Sequence, residues 1–174
     1  MKIIIVGAPG AGKTKLAKEL AKEYNCTLID NIAQNFARRT KLAVGFPSDY
    51  RVDMILAGER LEKILTNWNN DFVMTSTILD SLAYSRVRQV LLDETEVDEI
   101  EIQKNLDMVG LFYQATQNSF RYDKVYFLPY ENKKENLSNL ISGALEEVLQ
   151  HFGVEFERVQ STKSGTDKVQ EGDG

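Results

Sequence analysis

The sequence predicts an α/β fold built on a parallel sheet covered on both faces, and three observations carry that prediction. Short β-branched or aromatic runs alternate with amphipathic helical segments, the pattern that right-handed βαβ crossovers require. The first run, residues 2–6, is continuous Lys-Ile-Ile-Ile-Val, as a central strand buried on both faces needs to be. It passes directly into a glycine-rich turn that opens a helix.

After that turn, residues 13–24 read as a helix, with Leu16, Leu20 and Tyr24 at four-residue steps and Ala17 and Ala21 on the same side. Residues 26–29 form a second short strand ending at Asp30, and 31–39 a second helix. Gly45-Phe46-Pro47-Ser48-Asp49 is a loop. Residues 56–68 make the next amphipathic helix, and Phe72-Val73-Met74 the third strand. A helix is expected over 81–92, an acidic solvated loop and helix start over 93–101, and a further helix to about 118 marked by Ile102, Leu106, Val109 and Tyr113. Residues 125–128 are the fourth strand, stopped by Pro129. A long helix then buries Leu137, Leu140, Ile141, Leu145, Val148 and Leu149, and the alternation over 154–159 suggests a fifth strand at a partly exposed edge. Residues 1–160 are read as one domain, and 161–174, which lack any apolar cluster, as a disordered tail.

The 174 residues suffice for one domain with a sizeable core and are too few for two ordinary ones. A net charge of -5 disfavours a broad nucleic-acid surface, leaving room only for a local basic patch. The lone cysteine, Cys26, forbids an internal disulfide and reads as an inert buried thiol in a reducing compartment. With no bilayer-length apolar run and no signal-peptide anatomy at the N-terminus, a cytoplasmic protein without membrane association is expected. Oligomeric state is not legible.

The chemistry lies in Gly7-Ala8-Pro9-Gly10-Ala11-Gly12-Lys13-Thr14, which satisfies G-x-x-x-x-G-K-[ST] between a strand and a helix. Glycines let the backbone curl so that successive N–H groups face phosphate oxygens, and the helix N-terminus adds positive potential. Lys13 is the expected partner of the β- and γ-phosphates, and Thr14 of Mg²⁺. The loop therefore predicts binding of a nucleoside triphosphate with magnesium.

Gly7-Ala8-Pro9-Gly10-Ala11-Gly12-Lys13 resembles the opening of adenylate-kinase-like nucleotide kinases. Ile78-Leu79-Asp80-Ser81-Leu82-Ala83-Tyr84 and Tyr122-Asp123-Lys124-Val125-Tyr126-Phe127-Leu128-Pro129 extend the likeness to small P-loop kinases, including phage nucleotide and nucleoside kinases and ribosylnicotinamide-kinase-like domains. The resemblance implies a P-loop NTPase three-layer sandwich, a five-stranded parallel sheet in the order 2-3-1-4-5, and transfer of the γ-phosphoryl group of ATP to a small acceptor. Two departures stand out. Thr75-Ser76-Thr77 holds the place where such kinases often carry an Asp-Arg-Ser-like motif, and 130–135 has lysines where a lid arginine is usual.

Phosphoryl transfer needs an acid near the acceptor and cations near the phosphates. Asp30, ending the second strand, can accept the acceptor's hydroxyl proton, or can simply cap the following helix. Arg38 and Arg39 are candidates for an acceptor phosphate or carboxylate, although adjacent residues cannot share one helix face. Asp80 either replaces the missing third-strand acid or caps a helix. Arg51, Arg60, Arg86 and Arg88 are further cations, Thr75 and Ser76 offer hydroxyls, and Lys133 and Lys134 offer a reduced lid. Phe36 and Tyr84 suit core packing better than base stacking, and His151 suits a helix C-terminus. Three rival functions compete with a small-molecule kinase: a nucleotide-binding regulator or ATPase, a kinase acting on DNA, and a GTP switch. The switch is disfavoured because Asn132-Lys133-Lys134-Glu135 ends in Glu rather than Asp and Asp107-Met108-Val109-Gly110 falls inside a helix.

Overall fold

The structure is a computed structural model that describes residues 1–45, 50–91, 103, 107, 108, 110, 121–130 and 136–160. Its sheet is five-stranded and parallel, in the order β2-β3-β1-β4-β5. The strands are β1 (Lys2–Gly7), β2 (Thr27–Ile29), β3 (Phe72–Met74), β4 (Lys124–Leu128) and β5 (Glu157–Arg158). The helices are α1 (Lys13–Glu23), α2 (Ile32–Thr40), α3 (Tyr50–Asn67), α4 (Ile78–Leu91) and α5 (Asn136–His151). This is the P-loop NTPase topology expected from the resemblance.

β1 is central because it is apolar on both faces. Ile3 and Ile5 pack with Ala17 and Leu20 of α1 on one side. Ile4 and Val6 pack on the other with Leu79, Leu82 and Ala83 of α4 and Ile141, Leu145 and Leu149 of α5. All four β1 side chains are fully buried, each worth about 1.5–3 kcal/mol of transfer free energy. Register runs Ile3↔Val73 to β3 and Ile5↔Tyr126 to β4, so β2 and β3 end level at Ile29 and Met74 opposite Ile4, while β1 and β4 run on together to Gly7 and Leu128. The segments that follow these ends build the site.

Several boundaries differ from the sequence reading. α3 starts at Tyr50 rather than at residue 56, because its first turns have tertiary partners: Val52 and Leu56 pack on Phe36, and Asp53 meets Arg88. α4 starts at Ile78 rather than 81. Thr77 Oγ1 accepts from the Leu79 N–H at 3.1 Å while Asp80 Oδ2 accepts from the Thr77 N–H at 2.6 Å, a reciprocal cap that begins the helix one turn early. β5 is only two residues long, pairing Glu157 and Arg158 with β4. In α5, Leu137 is exposed and Leu140 only partly buried, whereas Ile141, Leu145, Val148 and Leu149 are buried as expected. Gln103, Asp107, Met108 and Gly110 are helical. The acidic stretch 93–101, the lysines at 133 and 134, and the tail from 161 lie outside the described residues. No helix among the described residues is long and apolar enough to cross a membrane.

Candidate functional site

A cleft of about 450 Å³ opens at the carboxyl ends of the strands, a volume suited to a small molecule. Its first wall is the loop after β1, where Ala8, Pro9, Gly10, Ala11, Gly12, Lys13 and Thr14 all line the opening. Gly10 and Gly12 take φ of 82° and 92°, the left-handed region that glycine enters without strain. Gly12 is the N-cap of α1 and no side chain caps that helix, so its first N–H groups remain for a ligand's oxygens. Gly7 ends β1 against β4, where a Cβ would stand 2.7 Å from the Leu128 carbonyl oxygen.

The Lys13 ammonium folds back onto this loop, donating to the Gly7 carbonyl and, at 3.0 Å, to the Ala8 carbonyl. Burial lowers its pKa, opposed by Asp80 and Asp30 and reinforced by Arg60. A cation held this way gains when phosphate charge arrives.

The second wall comes from the ends of β2 and β3. Asp30 is not the cap of α2; that position belongs to Asn31, in a left-handed conformation with no side-chain cap bond. Freed from capping, the Asp30 carboxylate accepts from the Thr75 hydroxyl on one oxygen and from the Asn31 amide at 3.2 Å on the other. Thr75 and Ser76 line the cleft beside it. An aspartate therefore stands at the third-strand rim after all, supplied by the neighbouring strand.

The third wall is α3 against α4. Asp80 lines the cleft while its carboxylate caps α4. Tyr84 lies one turn along, and burial followed by the Asp80 charge pushes its phenol up to about 12, keeping it protonated. Arg60 reaches in from α3 and donates to the Ser81 hydroxyl. Behind them Arg88 pairs with Asp53 at 2.8 Å, both side chains 5% exposed, and bonds the Gly45 carbonyl at 2.5 Å.

Arg38 and Arg39 do not line the cleft, contrary to expectation. They occupy the last turn of α2, whereas Ile32, Ala33 and Gln34 at its start face the opening. Arg38 is exposed and bonds Asn35 at 2.6 Å; Arg39 is exposed and pairs with Glu59. Arg86 meets Glu147 at 3.7 Å, away from the cleft. Phe36 is core, packed with Val52 and Leu56. His151 is an exposed helix-end residue beside Phe152. Gln34 is a cleft residue that the sequence reading missed, and its only signal was a place in the first turn after Asp30.

The donor set fits magnesium. Thr14, Asp30, Thr75 and Ser76 offer oxygen ligands only, the hard chemistry that Mg²⁺ takes. The described residues contain no cluster of three or more His, Cys, Asp or Glu that could cage a metal.

Comparison with known proteins agrees with the fold. A NadR structure in complex with NR superposes at a TM-score of 0.68, with 15% identity, over 98% of this chain and 46% of that one. Deoxyadenosine kinase from M. mycoides with bound dATP gives 0.63 at 15% identity, covering 92% and 90%. Thymidylate kinase from Candida albicans gives 0.57 at 13%, covering 91% and 83%. A tRNA dimethylallyltransferase of Flavobacterium psychrophilum is 24% identical over 122 residues, 68% of this chain and 35% of that protein. The chain thus spans about a third of the transferase and under half of the NadR chain. The fold is that of small P-loop nucleoside and nucleotide kinases. Its family is resolved by a match over residues 2–165, nearly the whole chain: the protein belongs to AAA_28, an AAA domain family.

Proposed function

We propose that this protein is an ATP- and Mg²⁺-dependent phosphotransferase that moves the γ-phosphoryl group to a nucleoside, nucleotide or related small acceptor. One observation carries the reading: the phosphate loop and the Asp30–Thr75 pair line the same small-molecule-sized cleft. A carboxylate held at that cleft by two hydrogen bonds supports a kinase, which needs an acid beside its acceptor.

In this reading the loop N–H groups and the α1 N-terminus hold the donor's phosphates. Lys13 exchanges its bonds to the Gly7 and Ala8 carbonyls for phosphate oxygens, trading neutral acceptors for charged ones. Thr14 would hold magnesium, which neutralises charge on the β- and γ-phosphates when bound. Asp30, aimed by Thr75 and Asn31, accepts the proton of the attacking hydroxyl. Asp80, fixed by the Thr77 N–H, and Tyr84, protonated at neutral pH, shape the acceptor side. The single, partly buried Cys26 suits a reducing, cytoplasmic setting.

The test is ADP production from ATP and Mg²⁺ across a panel of nucleosides, nucleoside monophosphates and nicotinamide riboside, with Lys13→Ala protein as the blank. Stimulation by an acceptor, with a phosphorylated product, upholds the reading. ATP binding without stimulation by any acceptor refutes it.

A further inference from the structure

Arg60 is 5% exposed, yet it lines the open cleft rather than the closed core. Among the described residues its hydrogen-bond acceptor is the neutral Ser81 hydroxyl, and its buried Nε has no partner there. No carboxylate among the described residues forms an ion pair with it. Seven helical positions beyond Ser81, by contrast, the buried guanidinium of Arg88 has both Asp53 and a backbone carbonyl. Two buried arginines thus lie on the same helix pair, one fully compensated and one not.

A buried guanidinium without a counter-charge is costly to the folded state. Such a group persists where a ligand supplies the missing charge, and its planar fork is suited to phosphate or carboxylate. The negative charge of Asp80 does not fill the need, because that carboxylate accepts from the Thr77 N–H and stands beyond ion-pair distance of Arg60. Position decides which ligand. The donor's phosphates belong to the loop wall with Lys13 and Thr14, whereas Arg60 stands on the α3–α4 wall with Ser81, Asp80 and Tyr84.

We infer that Arg60 is a specificity-determining residue that binds an anionic group on the acceptor, so that the substrate is a phosphomonoester such as a nucleoside monophosphate rather than a neutral nucleoside. This rests on the phosphotransferase reading and narrows it. Arg60 holds the acceptor's own phosphate through the part of its fork that faces the cleft, and Ser81 fixes the fork by engaging Nη1.

The experiment is calorimetric binding of nucleoside monophosphates, and of the matching nucleosides, to full-length protein loaded with AMP-PNP and Mg²⁺. Wild type, Arg60→Met and Arg60→Lys are compared, with thermal melting of each ligand-free protein. The wild type is expected to bind at least one monophosphate tenfold or more tighter than its nucleoside. Arg60→Met should erase that preference, Arg60→Lys should restore part of it, and AMP-PNP affinity should change less than threefold. The ligand-free Arg60→Met protein should melt at the same temperature as wild type or higher, the opposite of what a structural arginine would do. Equal binding of nucleoside and monophosphate, no binding of either, or a loss confined to AMP-PNP would each overturn the inference. ADP formation with the same panel reports separately on phosphoryl transfer. Turnover of a neutral nucleoside, unaffected by Arg60→Met, would remove Arg60 from the acceptor site and leave the kinase standing.

Discussion

The hydroxyl of Thr75, at the end of β3, donates to the carboxylate of Asp30, at the end of β2, across the rim of the sheet. The second strand thus brings a carboxylate to the rim where the third strand gives way to Thr75-Ser76-Thr77. The Asn31 amide holds the other oxygen, made possible by its left-handed backbone at φ 60°. With both oxygens engaged, the carboxylate is fixed in the wall of the cleft that the phosphate loop also lines.

Asp30→Asn is expected to lower kcat by about 10²–10³-fold, the usual worth of a positioned general base. Triphosphate affinity should stay within a few-fold of wild type. Thr75→Val, which removes only the aiming bond, should lower kcat about tenfold. Steady-state kinetics with parallel calorimetry of ATP binding separates the two effects. Equal losses of ATP affinity and turnover would place Asp30 in donor binding instead.

Gly7 is required by its neighbour rather than by its own dihedral angles. A Cβ there would lie 2.7 Å from the Leu128 carbonyl oxygen, a backbone atom of the adjacent strand. Gly7→Ala should therefore push β1 from β4 and cost about 1–3 kcal/mol, as overpacking does elsewhere. Urea denaturation measures it, and an unchanged midpoint would show that the strands can yield.

Asp53 and Arg88 tie α3 to α4 behind the cleft, each 5% exposed. Asp53→Asn or Arg88→Met alone should cost about 3–5 kcal/mol by stranding the other charge. Replacing both with apolar residues should recover much of the loss, because the desolvation penalty disappears with the pair. A double-mutant cycle in urea decides it. Additive losses would mean that the two charges do not act together.

Tyr84 carries a pH signature. Its folded-state pKa, about 12 against 10.0 for a free tyrosine phenol, is raised, so the stability it contributes is complete below pH 10. That stability is lost as pH climbs from 10 toward 12, where the unfolded chain ionises first. At pH 11 the loss is about 1.4 kcal/mol. Tyr84→Phe should abolish that share of the alkaline destabilisation. Unfolding curves for both proteins at pH 9 and 11 provide the check, and identical pH slopes would contradict the assignment.

What was legible in the sequence was local. The run from Lys2 through Thr14 contains its own strand, turn and helix start, and the structure places all three as read. The Thr77-x-x-Asp80 spacing also marks the start of α4, with Asp80 capping the helix from within its first turn rather than from before it. Pairings across dozens of residues left no trace in the pattern: Asp30 with Thr75, Asp53 with Arg88, Arg60 with Ser81. The arginines show the limit best. Arg38 and Arg39 looked well placed because they follow Asp30 closely, yet a helix carries its last turn away from the rim at which it began. Arg60 is one of four further candidate cations in the sequence, and only the packing of α3 on α4 brings it to the cleft.

The most direct test of the central claim is to follow the γ-phosphoryl group itself. Full-length protein, Mg²⁺ and γ-labelled ATP are incubated with the acceptor panel, and the products are separated. Label is predicted on one acceptor, in amounts equal to the ADP formed, and absent with Lys13→Ala protein. Label appearing only as inorganic phosphate, whatever acceptor is present, would contradict the account and identify an ATPase or nucleotide-binding regulator built on a kinase fold.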